Sequence, residues 1–493
     1  MDYETIIGLE VHAQLLTRSK MFCGCSADYA NAPPNTHVCP VCLGMPGVLP
    51  TINRQAIEYA VMTGLALHCT ISERSRFDRK NYPYPDLMKG YQISQYDNPL
   101  CQDGWLTAEA NGGSRRVGIT RVHQEEDVAK LTHRVDDSGE AYSLADVNRA
   151  GVPLMEIVSE PDMRSPEEAR QYLMKLRTIL RYLGVSTGNM EEGSFRCDAN
   201  VSIRPAGSSE LMAKVEVKNM NSFKAVFSAL EYEVSRQRKV LGEGGQLVQE
   251  TRGWVEDKGI TVSQRSKEYA HDYRYFPEPD LPPMVLSREL VEEIGARLPE
   301  LPDARRERFA SEYGLSGYDS DLLTASRAEA DYFEDCVGLF PGETDAGKKA
   351  KTVANWLLGE FARLLNATGT EIDEAKVAPR QLVELIGLID GGTLSTSMAK
   401  AVFEEMFHSG RLAAEIVEEK GMAQISAASE LEAIVDGVLA ENAQAVEDFL
   451  QGKEQAQKFL VGQVMRATKG QANPKVVIDL LNKKLGEGQT AST

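Results

Sequence analysis

The stretch TIIGLEVHAQL, residues 5–15, decides how the fold is read. Ile7, Leu9, Val11 and Ala13 alternate with Glu10, His12 and Gln14. Successive side chains of a β-strand point to opposite faces, so this is a strand with one apolar and one polar face. The polar face sets a carboxylate beside an imidazole. Half-buried strands commonly turn such a face to water, and only further carboxylates give this one a chemical meaning.

Those carboxylates follow. RVHQEEDVAKL, residues 121–131, carries Glu125, Glu126 and Asp127 in succession, and GVPLMEIVSEPD, residues 151–162, places Glu156 inside an otherwise apolar strand. A charge in such a run is costly unless it is paired or holds a metal ion. In RCDANVSIRP, residues 196–205, Cys197, Ala199, Val201 and Ile203 share one face, while Arg196, Asp198, Asn200 and Ser202 share the other. AKVEVKN, residues 213–219, repeats the alternation, and a hairpin across Pro205 to Leu211 is expected to pair the two. Together with His12, these oxygens suit a hard divalent cation of the magnesium type, which keeps few protein ligands and shares nucleotide phosphates.

Working outward, the chain from Met1 to about Leu281 alternates two-period segments with turn clusters, the pattern of a β-rich domain with a few helices. One helix is well signalled: Ser165 as N-cap, Pro166 in the first turn, Glu168 closing a capping box and Gly184 at the end. Its apolar stripe includes Leu173, Leu176, Leu180 and Leu183. After Pro277–Met284 strand signals give way to helical periodicity. Beyond about Gly410 the helices are short and Ala-rich, and residues 459–485 turn locally basic.

The segment CGCSADYANAPPNTHVCPVCLG, residues 23–44, sets Cys23 and Cys25 on one knuckle and Cys39 and Cys42 on another. Four thiolates so spaced can surround a tetrahedral zinc ion, with Gly44 turning the chain tightly behind them. Ordinary buried cysteines or a redox pair are the alternatives. With four protein ligands such a site is structural.

Bulk properties bound the function. A chain of 493 residues with 42% hydrophobic and 26% charged content is an ordinary globular protein of about two to four domains. No apolar run approaches the roughly 18 residues that span a bilayer, and MDYETIIGLE lacks a signal peptide's basic and apolar regions, so the cytoplasm is expected. The net charge of −19 opposes whole-protein attraction to nucleic acid, leaving local basic patches to do any such binding. In residues 77–99 aromatic side chains alternate with Arg79, Lys80 and Lys89, a mixture that stacks bases and neutralises phosphates but equally suits a core. Arg466, Lys469 and Lys475 form a second basic stretch, with a solvated helix face as its bland reading. GETDAGKK at Gly342–Lys349 is not a P-loop, because Lys349 stands where Ser or Thr must reach magnesium. His271 has no assigned nucleophile or orienting partner.

Taken in order, GLEVHAQL, FDRKNYPYPDLMKGYQISQ, HQEEDVAKL, DVNRAGVPLMEIVSEPD, MEEGSFRCDANVSIRP, KNMNSF, RSKEYAHDYRYFPEPDLPP and FLVGQVMRATKGQANP resemble the B subunits of the tRNA-dependent amidotransferases. The resemblance runs over almost the whole chain. It implies an α+β architecture: a cradle-shaped catalytic domain with a largely antiparallel sheet and a zinc knuckle at 1–293, a helical domain at 294–409, and a small all-α, tRNA-binding tail domain at 410–493. It implies ATP-dependent phosphorylation and amidation of Glu-tRNA(Gln) or Asp-tRNA(Asn). Ammonia would be channelled from an amidase (glutaminase) partner, with a small third protein completing a heterotrimer. By match to the family's motifs, His12, Glu125 and Glu156 are magnesium ligands, and Glu10 and Asp198 are further ligands or guides for ammonia. Cys23, Cys25, Cys39 and Cys42 match the zinc-bearing version of the family, and Lys89, Arg466 and Lys469 fall to tRNA. The residues that hold ATP are not indicated. The rivals are an RNA-binding scaffold without ATP turnover and a metal-dependent hydrolase acting alone.

Overall fold

The computed structural model describes residues 3–110, 112–266, 273–340, 346–422, 428–451, 453–468 and 471–490; His271, Lys469 and the first part of Gly342–Lys349 lie outside them. The chain divides into two compact units, Met1–Pro302 and Asp303–Thr493. The first mixes strands and helices, and the second is helical.

The first unit is built on one large sheet. Its strands are β1 (Tyr3–Gln14), β2 (Thr70–Ile71), β3 (Cys101–Ala110), β4 (Gly113–Glu126), β5 (Pro153–Ser159), β6 (Phe195–Pro205), β7 (Val215–Met220), β8 (Glu250–Val255) and β9 (Ile260–Ser266). Their spatial order is β9-β8-β7-β6-β1-β5-β4-β3-β2, so the N-terminal strand lies between two that follow it far along the chain. β1 pairs antiparallel with both β5 and β6, which therefore run parallel to each other. Parallel strands need a long crossover; after α1 (Arg54–Ala66), the second helix, α2 (Pro166–Tyr182), supplies it between β5 and β6. α3 (Phe223–Gly242) does the same between the parallel neighbours β7 and β8.

Helix α2 forms where its signals place it. The Ser165 hydroxyl accepts the Glu168 N–H at 3.1 Å, and Gly184 takes a φ of +66° just past the end. The capping box closes differently from expectation. The Glu168 carboxylate accepts the N–H of Arg164, one residue earlier, at 2.8 Å, where the Arg115 guanidinium holds the same oxygen at 2.9 Å.

The apolar alternation of β1 and β6 becomes the core. Ile7, Leu9, Val11 and Ala13, with Cys197, Ala199, Val201 and Ile203, are buried against Tyr172, Leu173, Leu176 and Leu180 of α2 and Val226, Ala229 and Leu230 of α3. Each of the Ile, Leu and Val side chains among them, fully buried, contributes about 1.5–3 kcal/mol. The helices occupy that face, and the even-numbered residues of β1 and β6 are left to the other.

The second unit has two apolar centres. Phe309, Phe333, Phe361 and Phe403 anchor one, formed by helices between Pro302 and Lys420. Leu431, Val435, Leu460, Val464, Val477 and Leu481 form the other, between Ala428 and Thr490. No helix among the described residues is long and apolar enough to cross a membrane.

Truncating Leu176, which is fully buried under the sheet, leaves a cavity that packed neighbours fill only in part. Leu176→Ala is expected to lower stability by about 2–5 kcal/mol, read as a shift of the urea unfolding midpoint by circular dichroism.

Candidate active site and metal centre

The polar face of the sheet is organised in rows, because directly opposed residues of antiparallel strands point the same way. His12 opposes Glu156 on one side and Arg196 on the other, and Glu156 opposes His123. One row therefore reads Arg196, His12, Glu156, His123. The next reads Asp198, Glu10, Val158, Arg121. Glu125 lies two residues beyond His123 on β4 and turns the same way into the first row.

His12 Nε2 stands 3.4 Å from Glu156 Oε2 and 3.6 Å from Glu125 Oε1, and His123 Nε2 stands 3.3 Å from Glu156 Oε2. One donor atom from each of His12, Glu125 and Glu156 lies within 4.8 Å of the others. An imidazole and two carboxylates so placed fit a divalent cation. Burial opposes protonation of His12, yet Glu156 and Glu125 raise its pKa to about 9. Burial likewise works against ionising Glu156, but His123 and His12 hold its carboxyl well below the usual range. Such a cluster calls for positive charge, which a proton on an imidazole or a bound cation can supply.

The three successive carboxylates separate. Glu126 turns to the opposite face, where it pairs with Lys89 and its Oε1 accepts the Ile93 N–H at 3.0 Å. Asp127 is buried, which raises its pKa, but Arg196, Arg149 and Gln14 bring it below the ordinary value. Arg196 donates to it at 2.9 Å and Gln14 at 2.6 Å. Of the three, Glu125 is the one that meets His12. In the second row Asp198 pairs with Lys218, and Glu10 accepts from Asn200 Nδ2 at 2.8 Å.

Around this floor lies a cavity of about 530 Å³ lined by Glu10, His12, Glu125, Glu156 and Asp198, with Lys80, Arg121 and Lys218 bringing positive charge. Its far wall is aromatic. Tyr96 and Tyr275 stack at 4.1 Å, Tyr82 meets Tyr273 edge-on at 5.7 Å, and the Lys80 ammonium lies 5.1 Å from the Tyr273 ring centre. Arg79, from the same stretch, is occupied by a two-pronged pair with buried Glu278 at 2.7 and 2.8 Å.

The four cysteine sulfurs of residues 23, 25, 39 and 42 also lie within 4.8 Å of one another. Cys39 and Cys42 are 3.9 Å apart, close to the about 3.8 Å that tetrahedral ligation at about 2.3 Å imposes. A hydrogen bond from Cys23 pulls the Cys42 thiol down to about 4. Lys20 supports this reading. It is 1% exposed, and its ammonium donates to the His37 carbonyl at 2.8 Å and the Val147 carbonyl at 3.3 Å, with Cys42 Sγ at 3.7 Å. A buried cation needs an anion, and a metal–thiolate centre supplies one.

The loop between the cysteine pairs is stapled to the segment that enters β5. His37 N–H donates to Asn148 Oδ1 at 2.8 Å, Asn148 Nδ2 to the Pro33 carbonyl at 2.7 Å, and Val147 N–H to Asn35 Oδ1 at 2.8 Å. Gly44 has a φ of +66°, and a Cβ there would stand 2.5 Å from Lys89 Cγ. Glycine thus serves both the turn and the close approach to Lys89. Arg466 is exposed on the helix Glu454–Ala467, as is Lys475 on the next helix.

Sequence reasoning did not single out His123, Arg121, Lys218, Lys20 or the Tyr273–Tyr275 pair. His123 was within reach, being two residues before Glu125 on one strand and so on its face. Lys20 had no local signal.

The GatB/GatE catalytic domain model matches residues 5–292, and a GatB domain model matches residues 333–485. The chain is 62% identical to the B subunit of the aspartyl/glutamyl-tRNA(Asn/Gln) amidotransferase of Dehalococcoides mccartyi, over 99% of each chain. It is 59% identical to the protein of the same description from Thermomicrobium roseum, over 98% of this chain and 99% of that one. With the one from Carboxydothermus hydrogenoformans it shares 55% over 99% of each.

Replacing Cys39 by Ser removes a ligand, and replacing Lys20 by Met removes the charge beside the sulfurs. Both variants are expected to carry less bound metal per chain, Cys39→Ser the less of the two, and to melt earlier. Elemental analysis and thermal unfolding check this; wild-type metal content in Cys39→Ser would remove the cysteines from metal binding.

Proposed function

The chain belongs to the B-subunit family of the tRNA-dependent amidotransferases, and from that premise we propose that it carries the kinase and transamidase steps of the reaction. The substrate is Glu-tRNA(Gln), Asp-tRNA(Asn) or both. The side-chain carboxylate of the misacylated residue attacks the γ-phosphorus of ATP, and ADP leaves. Ammonia then attacks the acyl phosphate carbon and phosphate departs. A carboxylate is a poor electrophile until its oxygen becomes such a leaving group.

The observation that carries this reading is the row of His12, Glu156 and His123 with Glu125 beside it, on the floor of a cavity walled by tyrosines and Lys80. His12, Glu125 and Glu156 are the residues to hold magnesium. When bound, the ion neutralises charge on the transferring phosphoryl group. Arg121, Lys80 and Lys218 face the same space and add fixed positive charge where phosphate oxygens would lie. Glu10 and Asp198, one row away, serve as further ligands or accept hydrogen bonds from incoming ammonia.

The stacked tyrosines and Lys80 suit the single-stranded acceptor end of tRNA, whose bases stack on aromatic faces. Arg466 with Lys469 meets the tRNA backbone from the tail domain; Lys89, the other basic residue assigned to tRNA, is paired with Glu126 and lines a smaller cavity next to Cys42 and Gly44, apart from the tyrosine wall. We keep the division into a catalytic domain at 1–293, a helical domain at 294–409 and a tRNA-binding tail at 410–493. Zinc is the metal for the four cysteines, and it braces the entry to β5 without entering the reaction. The partners are an amidase, which releases ammonia from glutamine, and a small third protein, in a cytoplasmic heterotrimer.

The test combines the purified chain with both partner proteins, magnesium, ATP, glutamine and Glu-tRNA(Gln), and follows ATP cleavage together with Gln-tRNA(Gln) formation. Product that requires this chain and ATP is the expected result; tRNA binding without ATP cleavage would put a scaffold role in its place. In the same assay Glu125→Gln is expected to lose amidation by at least about a hundredfold, a typical effect of removing transition-state charge stabilisation, while tRNA affinity is kept. Full activity in Glu125→Gln would take that residue out of the reaction centre.

A further inference from the structure

Two anions have to meet over the cluster, the side-chain carboxylate of the misacylated residue and the triphosphate, and like charges repel unless each has a cation of its own. The two rows supply one at either end. Arg196 stands beside His12 at the start of the first row, and Arg121 closes the second. Arg121 is engaged within the cluster, with Glu156 at 3.8 Å and a hydrogen bond from its Nε to His123 Nδ1 at 3.3 Å. Lys218 lies between Asp198 and Glu216, the latter at 3.1 Å, and the Lys80 ammonium rests against the tyrosine wall.

Arg196 is held more loosely. A guanidinium carries five N–H donors in a rigid fork. Among the described residues Asp127 is the hydrogen-bonded partner of Arg196, through Nη2 at 2.9 Å, while the buried Nε finds no acceptor. Asp127 has little more to offer. Its two oxygens also meet Gln14 Nε2 at 2.6 Å, the Val128 N–H at 2.8 Å and Arg149 Nε at 3.7 Å. An unmet donor on a buried nitrogen is uncommon. Arg79 gives the contrast within the same chain, because both of its prongs are closed by Glu278. The Arg196 side chain keeps 36% of its surface and lines the cavity, so an anion has access to it from there. Directly opposed residues of antiparallel strands have Cα atoms about 4.5–5.5 Å apart, which sets an anion on Arg196 next to His12.

We propose that Arg196 grips the side-chain carboxylate of the glutamyl or aspartyl residue on the tRNA, and that it is the residue by which the site tells this carboxylate from the amide it becomes. The proposal rests on the reading that the chain phosphorylates and amidates that residue. An arginine fork matches a planar carboxylate, where a lysine offers only a point charge. One carboxylate oxygen stays on the fork while the other attacks the γ-phosphorus, and the bond to ADP breaks with its electron pair. When ammonia adds to the acyl carbon, the oxygen on the fork takes the negative charge, which donors fixed in advance stabilise. The C–O bond to phosphate then breaks, and one proton of the ammonia leaves with the phosphate. The amide turns an –NH2 donor toward a fork made only of donors, so the product is held less tightly than the substrate.

The experiment uses the heterotrimer with Arg196→Gln, which removes the charge, and Arg196→Lys, which keeps a cation beside Asp127 but not the fork. Binding of Glu-tRNA(Gln) and of Gln-tRNA(Gln), which differ only in carboxylate against amide, is measured without ATP by filter retention. Steady-state constants for ATP and Glu-tRNA(Gln) are measured beside it. In wild type the glutamyl form is expected to bind about tenfold tighter or more, the worth of a hydrogen bond to a charged group. Both variants are expected to lose that preference and to lower kcat/KM for Glu-tRNA(Gln) by about tenfold to a hundredfold, with KM for ATP, and the thermal midpoint of Arg196→Lys, as in wild type. Absence of the preference in wild type, or its retention in both folded variants, would overturn the proposal. So would an equal loss of affinity for the two tRNAs, the mark of a residue that only supports the cavity wall. Failure of the underlying reading looks different: the wild-type complex would cleave no ATP, while the comparison of the two tRNAs, made without ATP, would still decide the role of Arg196.

Discussion

The arrangement that the rest of the first unit depends on is the pairing of β1 between β5 and β6. In register, it sets His12 opposite Glu156 and Glu10 opposite Asp198. A slip of one residue would turn every side chain of β1 to the other face, sending Glu10 and His12 into the core and Ile7, Leu9 and Val11 into the cavity. The same apolar residues that bury against α2 and α3 therefore hold the polar row in place. Fold stability and site geometry are two faces of one strand.

Charge is distributed with equal economy. The chain carries a formal charge of −19, yet Lys80, Arg121 and Lys218 converge on one cavity. The three successive carboxylates of β4 and its end are sorted by their partners: Asp127 is neutralised by Arg149 and Arg196, and Glu126, on the opposite face, by Lys89. Glu125 and Glu156 meet imidazoles instead, whose charge a metal ion can replace. A local field of this kind lets an acidic protein bind an anion.

The cysteine quartet acts on the same sheet from outside it. Its loop is tied through Asn148 to the residues that lead into β5, and Lys20 neutralises the sulfurs from within. Gly44 brings the knuckle against Lys89, which holds Glu126 on the reverse of the strand that carries Glu125. A metal at the cysteines thus constrains two of the strands that supply the cluster, as outer contacts fix inner ligands in other metal sites.

Much of this was legible in the sequence because it is periodic or local. Alternation along residues 5–15 and 196–205 named the apolar and polar faces, Ser165, Pro166 and Gly184 delimited α2, and the cysteine spacing announced that the four thiols gather. The placing of Glu156 in an apolar strand marked it as unusual before any neighbour was known. Tertiary structure alone decided that β1 sits mid-sheet, that Glu125 and not Glu126 or Asp127 meets His12, and that Lys20 lies under the sulfurs. Most of these outcomes turn on pairings between segments more than a hundred residues apart, such as β1 with β5 and β6. Side-chain periodicity tells a strand which face to bury, but it does not tell the strand which neighbour to take.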